Sequence, residues 1–281
     1  MLKLLIVRLS RVPQLRQVAW ASFRLPLLGG LVRRTIENVL PRDERIWFEV
    51  PAGPNKGTWL RVEPYWEGGL LTGYPELGVQ EVLAEQLKPG DCLYDIGAHI
   101  GYYSLLAGRL VGPTGSVVAV EPDPDNIAVL RENIARNGIR NIAVVQAAAS
   151  NQVGTIIFQR GADYPSRMSG HMVDSAVAPA SGDFLSSPSV TLDLLGQTHQ
   201  VPSVIKIDVE GNELQVLEGA CDLITTYKPV LIFEVLTWQE LEKVRAFLTS
   251  LHYHIRPLPL THEADVVPAN YLGLPTDSSQ P

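Results

Sequence analysis

The 281-residue chain is poor in cysteine and in charge, and both shortages limit what it can be. Its two cysteines, Cys92 and Cys221, are too few for a disulfide framework and lack metal-ligand spacing, so we expect a reducing, cytoplasmic setting. Charged residues make up only 19% of the chain and hydrophobic residues 46%. This balance excludes a disordered protein and predicts one core of ordinary size plus accessory segments.

The N-terminus lacks a hydrophobic run long enough to span a bilayer, which needs about 20 mostly apolar residues. Lys3 and Arg8 interrupt residues 1–9, and no small-residue cleavage site of a secretory signal follows. Residues 1–42 hold eight Lys or Arg and one Glu, so they carry +7 and the rest of the chain −14. We expect this basic segment to pack over its own domain as a lid, or to contact an anionic membrane peripherally as an amphipathic helix.

The net charge of −7 argues against nucleic acid as a partner. Turn residues divide the chain into a basic helical segment (1–45), a hairpin with a lead-in helix (46–88), a main domain (89–275) and a frayed tail (276–281). The hairpin is predicted from strands at 46–50 and 59–62, and the lead-in helix from helical spacing over 79–87.

The main domain alternates between short apolar runs and amphipathic helices, a pattern typical of parallel βαβ units. It therefore predicts a Rossmann-like α/β domain with a doubly wound, mostly parallel sheet. Residues 161–188 interrupt the alternation, are rich in Ser, Gly, Ala and Pro, and are predicted to be a mobile substrate loop. The predicted strands are 92–96, 116–120, 142–146, 204–208, 230–234 and 253–256; the predicted helices are 103–110, 125–137, 213–220 and 239–251.

A tight loop follows the first core strand and predicts a nucleoside site. Asp95 ends the strand, and Gly97 and Gly101 leave room for a ligand beside the backbone. The loop lacks the third glycine of a dinucleotide fingerprint, and its carboxylate suits an ammonium group better than a pyrophosphate. Glu121 ends the second strand, 20 residues after Gly101, where it can accept hydrogen bonds from ribose hydroxyls, and Pro122 fixes the turn that follows. The pattern favours S-adenosylmethionine; an NAD-linked oxidoreductase is the alternative.

The fourth core strand carries ionisable residues that could serve methyl transfer to a hydroxyl. Because side chains alternate along a strand, Lys206, Asp208 and Glu210 are expected to share one face. A hydroxyl acceptor must lose its proton, so we assign the general base to Asp208, with Glu210 second, and make Lys206 the ion-pair partner that keeps Asp208 ionised. In the alternative interpretation, Glu210 already belongs to a turn and Asn212 caps the next helix.

The roles of several residues outside these motifs are left undecided. Glu234 and Asp208 could hold a divalent cation, but a clear third ligand is lacking and a metal is not favoured. His171, in the long loop, is an outside candidate for the base. Trp238, like Trp66, Tyr74 and Glu76, either walls the acceptor pocket or belongs to ordinary packing.

Four motifs of this chain resemble the FkbM family of methyltransferases: D-I-G-A-H-I-G-Y-Y-S (95–104), V-E-P-D-P (120–124), T-L-D-L-L (191–195) and I-K-I-D-V-E-G-N-E (205–213). The resemblance runs from about residue 90 to 234. It implies a seven-stranded sheet, S-adenosylmethionine as methyl donor, and O-methylation of a hydroxyl on a sugar, glycolipid or secondary metabolite. His99 stands where the family usually has asparagine, a position suited to left-handed backbone.

The resemblance also implies roles for individual residues. Asp95, Gly97 and Gly101 would line the methionine part, Glu121 the ribose, and residues 146–148 the adenine edge, with Asp208 beside the sulfonium. A protein that binds S-adenosylmethionine without turnover is a further alternative. The predicted cofactor-binding residues are Asp95, Gly97, Ala98, His99, Gly101, Glu121, Pro122, Gln146, Ala147 and Ala148; the predicted catalytic residues are Asp208, Glu210 and Lys206.

Overall fold

The computed structural model describes residues 44–64, 67–160, 170–173, 184–258 and 265–276. The predictions for the basic segment up to residue 43, for Trp66, for much of the loop 161–188 and for the tail from residue 277 lie outside these ranges. Within them, no helix combines the length and the apolar character needed to cross a membrane.

The described chain is built from short strands and helices that alternate over most of its length. The strands are β1 (Ile46–Glu49), β2 (Trp59–Val62), β3 (Cys92–Ile96), β4 (Ser116–Glu121), β5 (Ile142–Gln146), β6 (Ala148–Ala149), β7 (Gly154–Arg160), β8 (Gly170–Val173), β9 (Phe184–Val190), β10 (Val204–Ile207), β11 (Val230–Val235), β12 (Tyr253–Pro257) and β13 (Ala269–Pro275). The helices are α1 (Leu77–Gln86), α2 (Tyr102–Leu110), α3 (Pro124–Asn137), α4 (Leu192–Thr198), α5 (Glu213–Glu218), α6 (Cys221–Tyr227) and α7 (Trp238–Ser250), with a 3-10 turn at Gly68–Thr72.

The central sheet has seven strands in the order β12-β13-β11-β10-β3-β4-β5. Neighbouring strands are parallel from β11 to β5, and β13 is antiparallel to both of its neighbours. The prediction of a doubly wound, mostly parallel sheet is confirmed. Because parallel strands end at the same edge, the carboxyl ends of β3, β4, β10 and β11 meet there, where ligands bind in such sheets.

Both faces of the central sheet are buried, which is why its inner strands read as continuous apolar runs. All residues of β3 and β10 are buried. Successive residues belong to different cores: Tyr94 and Ile205 pack with the helices on one face, and Leu93 and Val204 with those on the other. This two-sided packing holds the loops at the strand ends in place.

The predicted hairpin forms and docks against helix α3. Strand β2 would leave unpaired backbone groups at its free edge, but amide side chains of α3 satisfy them. Asn137 Oδ1 accepts from the N–H of Trp59 at 2.8 Å, and Asn133 Oδ1 accepts from the N–H of Arg61 at 2.7 Å. The guanidinium of Arg136 lies 4.9 Å from the centre of the Trp59 ring.

The prediction of a loop over residues 161–188 is wrong in two places: Gly170–Val173, which include His171, form β8, and the last five residues belong to β9. This strand is part of a second sheet with the order β6-β9-β7-β8, inserted between β5 and α4. Strand β9 buries the small polar residues Ser187 and Ser189 in addition to an apolar residue. Their hydroxyls donate to the backbone oxygens of Pro188 and Gln152. Because buried serines do not produce a hydrophobic alternation, the strand was hidden from a pattern based on apolar residues.

Candidate functional site

The loop after β3 lies directly against the loop after β10, and only glycine fits where they meet. Gly97 has φ +76°, and a Cβ added there would lie 1.8 Å from the carbonyl oxygen of Asp208. Gly101 has φ +89°, and a Cβ there would lie 2.2 Å from a methyl carbon of Leu130. His99 adopts φ +50°, so the left-handed backbone expected at this position is present. The two glycines therefore set how tightly the loop turns into α2.

Glu121 is the residue that ties this loop to the end of β4. Its Oε2 accepts from the backbone N–H of His99 at 2.9 Å, and its Oε1 accepts from the N–H of Asp123 at 3.0 Å and from Asn126 at 3.2 Å. Burial raises the pKa of Glu121 to about 7, although these donors oppose the rise. A buried carboxylate is thus held at the strand end where the sequence predicted a ribose partner.

The imidazole of His99 connects the same loop to a buried ion pair near the hairpin. Its Nε2 lies 3.5 Å from Oε1 of Glu67, a carboxylate that accepts from Arg45 at 3.0 Å. Burial, followed by the positive charge of Arg45, lowers the pKa of His99 to about 4. His99 is therefore neutral at pH 7, and Arg45 is the cation that pairs with Glu67.

A buried ammonium group joins the ends of β3 and β10. Nζ of Lys206 lies 3.1 Å from Oδ2 of Asp208 and 3.7 Å from Oδ1 of Asp95, and 5.0 Å from the centre of the Tyr103 ring. Burial lowers the pKa of Lys206, but the carboxylates of Asp208 and Asp95 outweigh burial and raise it above its usual range. Asp95 also accepts from the hydroxyl of Ser104 at 2.5 Å. The three groups form a row in which the Lys206 ammonium lies between the carboxylates of Asp95 and Asp208. The Asp208 end of the row lies at the site.

Further carboxylates surround the outer end of this row. Glu76 has left-handed backbone and accepts from the hydroxyl of Tyr103 at 2.7 Å and from the amide of Asn270 at 2.5 Å. Burial and the charge of Asp208 raise the pKa of Glu210 to about 7. Burial and the charges of Asp208, Glu210 and Glu76 raise the pKa of Glu234 to about 8. This end of the site is rich in carboxyl groups, and a further negative charge there is unfavourable.

One cavity brings these groups together at the carboxyl edge of the sheet. Its empty volume is about 1140 Å³, including space open to solvent. The lining comes from the loop after β3, the ends of β4 and β10, strand β6 and the segment before α1. Its residues are Leu70, Glu76, Gly97, Ala98, His99, Tyr102, Tyr103, Val120, Glu121, Pro122, Asn126, Ala147, Ala148, Ala149, Lys206, Asp208, Val209 and Glu210.

A profile of the methyltransferase FkbM domain matches residues 95–255, which form most of this sheet and its helices. The chain belongs to the FkbM methyltransferase family. It is accordingly an S-adenosylmethionine-dependent methyltransferase, as the motifs indicated, and the oxidoreductase alternative is set aside. Each of the four motifs that carried the resemblance lies within or at the edge of the matched range.

Two curated relatives of this FkbM-family methyltransferase have stated activities. Hexuronic acid methyltransferase AglP of Haloferax volcanii is 28% identical over 186 residues, covering 66% of this chain and 72% of that protein. The 31-O-demethyl-FK506 methyltransferase FkbM of Streptomyces tacrolimicus is 30% identical, covering 49% of this chain and 62% of that protein. A crystal structure of methyltransferase FkbM from Methylobacillus flagellatus superposes with a TM-score of 0.48 at 17% identity, covering 90% of this chain and 60% of that one.

Most of the predicted cofactor-binding residues of this methyltransferase line the cavity, but three do not. Asp95 is fully buried beneath it, where it contacts Lys206 and Ser104, and neither Gly101 nor Gln146 is part of the lining. Direct contact of these three with the cofactor stays a prediction. The residues present suit S-adenosylmethionine: Gly97 lines the cavity without a side chain, Glu121 offers a carboxylate, and Ala147 and Ala148 leave a small-residue wall for a flat base.

The predicted catalytic residues lie together, although not as a strand face. Strand β10 ends at Ile207, so Asp208 and Glu210 follow it, and Glu210 has φ +57°. The prediction that all three residues share one face of a strand is therefore wrong, and the alternative interpretation, in which Glu210 belongs to a turn, is confirmed, because the chain turns away to begin α5. The turn still brings all three into the cavity lining. The expected ion pair between Lys206 and Asp208 is present.

The residues that sequence reasoning missed come from outside the alternating pattern. Tyr103 and Asn126 lie inside predicted helices and give no signal of facing a cavity. Glu76 was left undecided between pocket wall and ordinary packing; it lines the cavity. Among the described residues, no group of three or more His, Cys, Asp and Glu side chains could hold a metal ion.

Proposed function

We propose that this enzyme transfers the methyl group of S-adenosylmethionine to a hydroxyl of a saccharide, glycolipid or secondary metabolite, with Asp208 as the general base. The observation that carries the proposal is that one cavity contains both Glu121 with the Gly97 loop and the carboxylate of Asp208. The first pair forms the nucleoside end. Asp208, with Lys206 and Glu210 beside it, forms the end where an acceptor would lie.

Methyl transfer to a hydroxyl requires that the acceptor oxygen, the methyl carbon and the sulfur lie in line. It also requires a group that accepts the hydroxyl proton. When bound, S-adenosylmethionine supplies an electrophilic methyl group on a positively charged sulfur. The acceptor oxygen bonds to the methyl carbon as the carbon–sulfur bond breaks, the electron pair of that bond stays on sulfur, and the hydroxyl proton passes to the Asp208 carboxylate. Nζ of Lys206 lies 3.1 Å from Oδ2 of Asp208. This ion pair fixes the carboxylate while the Asp208 side chain stays partly exposed to the cavity.

The charge around the acceptor end favours a neutral acceptor. Glu76, Asp208 and Glu210 line it, with Lys206 as the one cationic side chain of the described lining. Two like charges about 6 Å apart repel by roughly 3 kcal/mol at an effective dielectric constant near 20. A carboxylate on the acceptor would therefore be penalised.

We expect a neutral glycoside to be methylated at least about tenfold faster than the matched uronic acid glycoside, because the second adds a like charge. The measurement is transfer of labelled methyl from S-adenosylmethionine to a phenyl glucoside and a phenyl glucuronide. Glu76→Gln should narrow the difference, and Glu85→Gln, a change at an exposed position on α1, should not. Faster methylation of the glucuronide would contradict the charge argument, and no transfer to either sugar would count against a saccharide acceptor.

A further inference from the structure

Glu213 fastens the turn that follows Asp208. It is the first residue of α5, and none of its surface is exposed. Its Oε1 accepts from the backbone N–H of Val209 at 2.9 Å, and its Oε2 accepts from that of Gly211 at 3.0 Å. Glu210 and Gly211 both have left-handed backbone, with φ +57° and +99°. A turn of that shape needs to be held, and Glu213 supplies the acceptors that hold it.

Glu240 does the same for the neighbouring loop after β11. This residue lies in the first turn of α7, and its Oε2 accepts from the backbone N–H of Leu236 at 2.9 Å. Its Oε1 is buried and has no hydrogen-bond donor among the described residues, and its carboxyl group is within hydrogen-bonding reach of the carboxyl group of Glu213. Two ionised carboxylates offer only acceptors to each other, so a buried contact between them needs a proton.

We propose that Glu213 and Glu240 share one proton, and that this carboxyl pair locks the loop carrying Asp208 to the loop that follows β11, which makes Glu213 a positioning residue for the base. The inference rests on the proposed role of Asp208. Burial and the neighbouring Glu240 raise the pKa of Glu213 to about 9, which agrees with a proton retained at neutral pH. The lock joins the ends of β10 and β11 from the side of the helices, away from the cavity that holds Asp208.

The pair has charged neighbours on every element around it. Lys243 of α7 borders a small cavity together with Glu240 and Gly211, and Asp208 and Glu210 precede the turn. Glu234 lies at the end of β11. Because the pKa of Glu213 in the folded protein is raised above its unfolded value, the stabilisation is complete at low pH and is lost as the pH rises through about 9. The carboxylates nearby strengthen this trend, and Lys243 opposes it.

The test replaces the shared proton by a permanent N–H. Glu240→Gln places an amide donor opposite the Glu213 carboxylate and keeps an oxygen for the N–H of Leu236. Glu213→Gln places an amide donor opposite Glu240 and keeps Oε1, which accepts from Val209 at 2.9 Å and from Gly211 at 3.3 Å. The control is Glu242→Gln, at an exposed position of α7. In the cofactor-free protein, the fall in Tm between pH 6 and pH 9 should be smaller by about 4 °C in the two amide variants than in the wild type and the control.

In the full reaction, the alkaline loss of kcat should move upward by about one pH unit or more in both amide variants, while the control follows the wild type. Parallel Tm curves and parallel pH profiles for all four proteins would overturn the shared proton. Failure of the base assignment has a different signature: Asp208→Asn would keep its rate while the difference in Tm between the amide variants and the wild type persisted.

Discussion

Replacing Asp208 with asparagine should lower kcat by about a thousandfold, the loss expected when a positioned general base is removed. Asparagine has nearly the same shape but cannot take the acceptor's proton. The affinity for S-adenosylhomocysteine should change by less than about threefold, because the nucleoside end is built from other residues such as Gly97 and Glu121. Single-turnover methyl transfer and calorimetric titration measure the two quantities separately.

Glu210→Gln is the comparison that distinguishes the two candidate bases. Burial and the charge of Asp208 raise the pKa of Glu210 to about 7, so a reaction that relied on Glu210 would speed up as the pH rose through 7. We expect Glu210→Gln to keep more than about a tenth of the wild-type kcat. If Asp208→Asn kept most of the rate and Glu210→Gln lost it, Glu210 would be the base.

Replacing Lys206 with methionine should lower the free energy of unfolding by about 3–5 kcal/mol, the range for removing one partner of a buried ion pair. Methionine fills similar volume but leaves Asp95 without its nearby cation. Burial already raises the pKa of Asp95, and the ammonium of Lys206 is the first effect that opposes burial. Urea denaturation at pH 7 measures the loss, which corresponds to a fall in Tm of about 10 °C.

The double variant Lys206→Met with Asp95→Asn is the matched control for this prediction. It removes the buried Asp95 charge that the single variant leaves without a cation. The double variant should therefore recover at least about 2 kcal/mol of the lost free energy of unfolding. A single variant as stable as the wild type, or a double variant that recovers nothing, would mean that the row of Asp95, Lys206 and Asp208 does not stabilise the fold.

Much of the central sheet could be predicted from the sequence because its strands are buried on both faces. Strands β3 and β5 have the predicted bounds, and β4, β10, β11 and β12 differ by one residue at their C-terminal end. The elements that the apolar pattern missed follow different rules. Strand β13 contains Asn270 and Gly273 and is inserted antiparallel between β11 and β12, so its role depends on partners distant in sequence. Helices α4 and α6 are seven residues each, too short for a clear helical period.

The candidate site was predictable where backbone shape demands a residue type. Gly97 and Gly101 occupy positions that exclude a side chain, and such requirements are visible in a sequence. The position of Glu76 could not be predicted, because it depends on hydrogen bonds from Tyr103 and Asn270, which are remote from it along the chain. Whether Glu210 continues the strand face or belongs to a turn was left open, because alternation runs through Val209 and the hydrogen bonds that Glu213 accepts from Val209 and Gly211 give no periodic signal.

The central claim is that the loop after β3 and Glu121 together hold S-adenosylmethionine. Calorimetric titration with S-adenosylhomocysteine tests it most directly, using the wild type, Glu121→Gln and the control Glu132→Gln on the exposed face of α3. We expect binding that tightens from pH 6 to pH 8 as Glu121, whose pKa burial raises to about 7, becomes ionised. Glu121→Gln should bind at least about tenfold more weakly at pH 8, the control should bind like the wild type, and NAD should give no heat. Equal affinity in all three proteins, or NAD in place of the nucleoside thioether, would contradict the account.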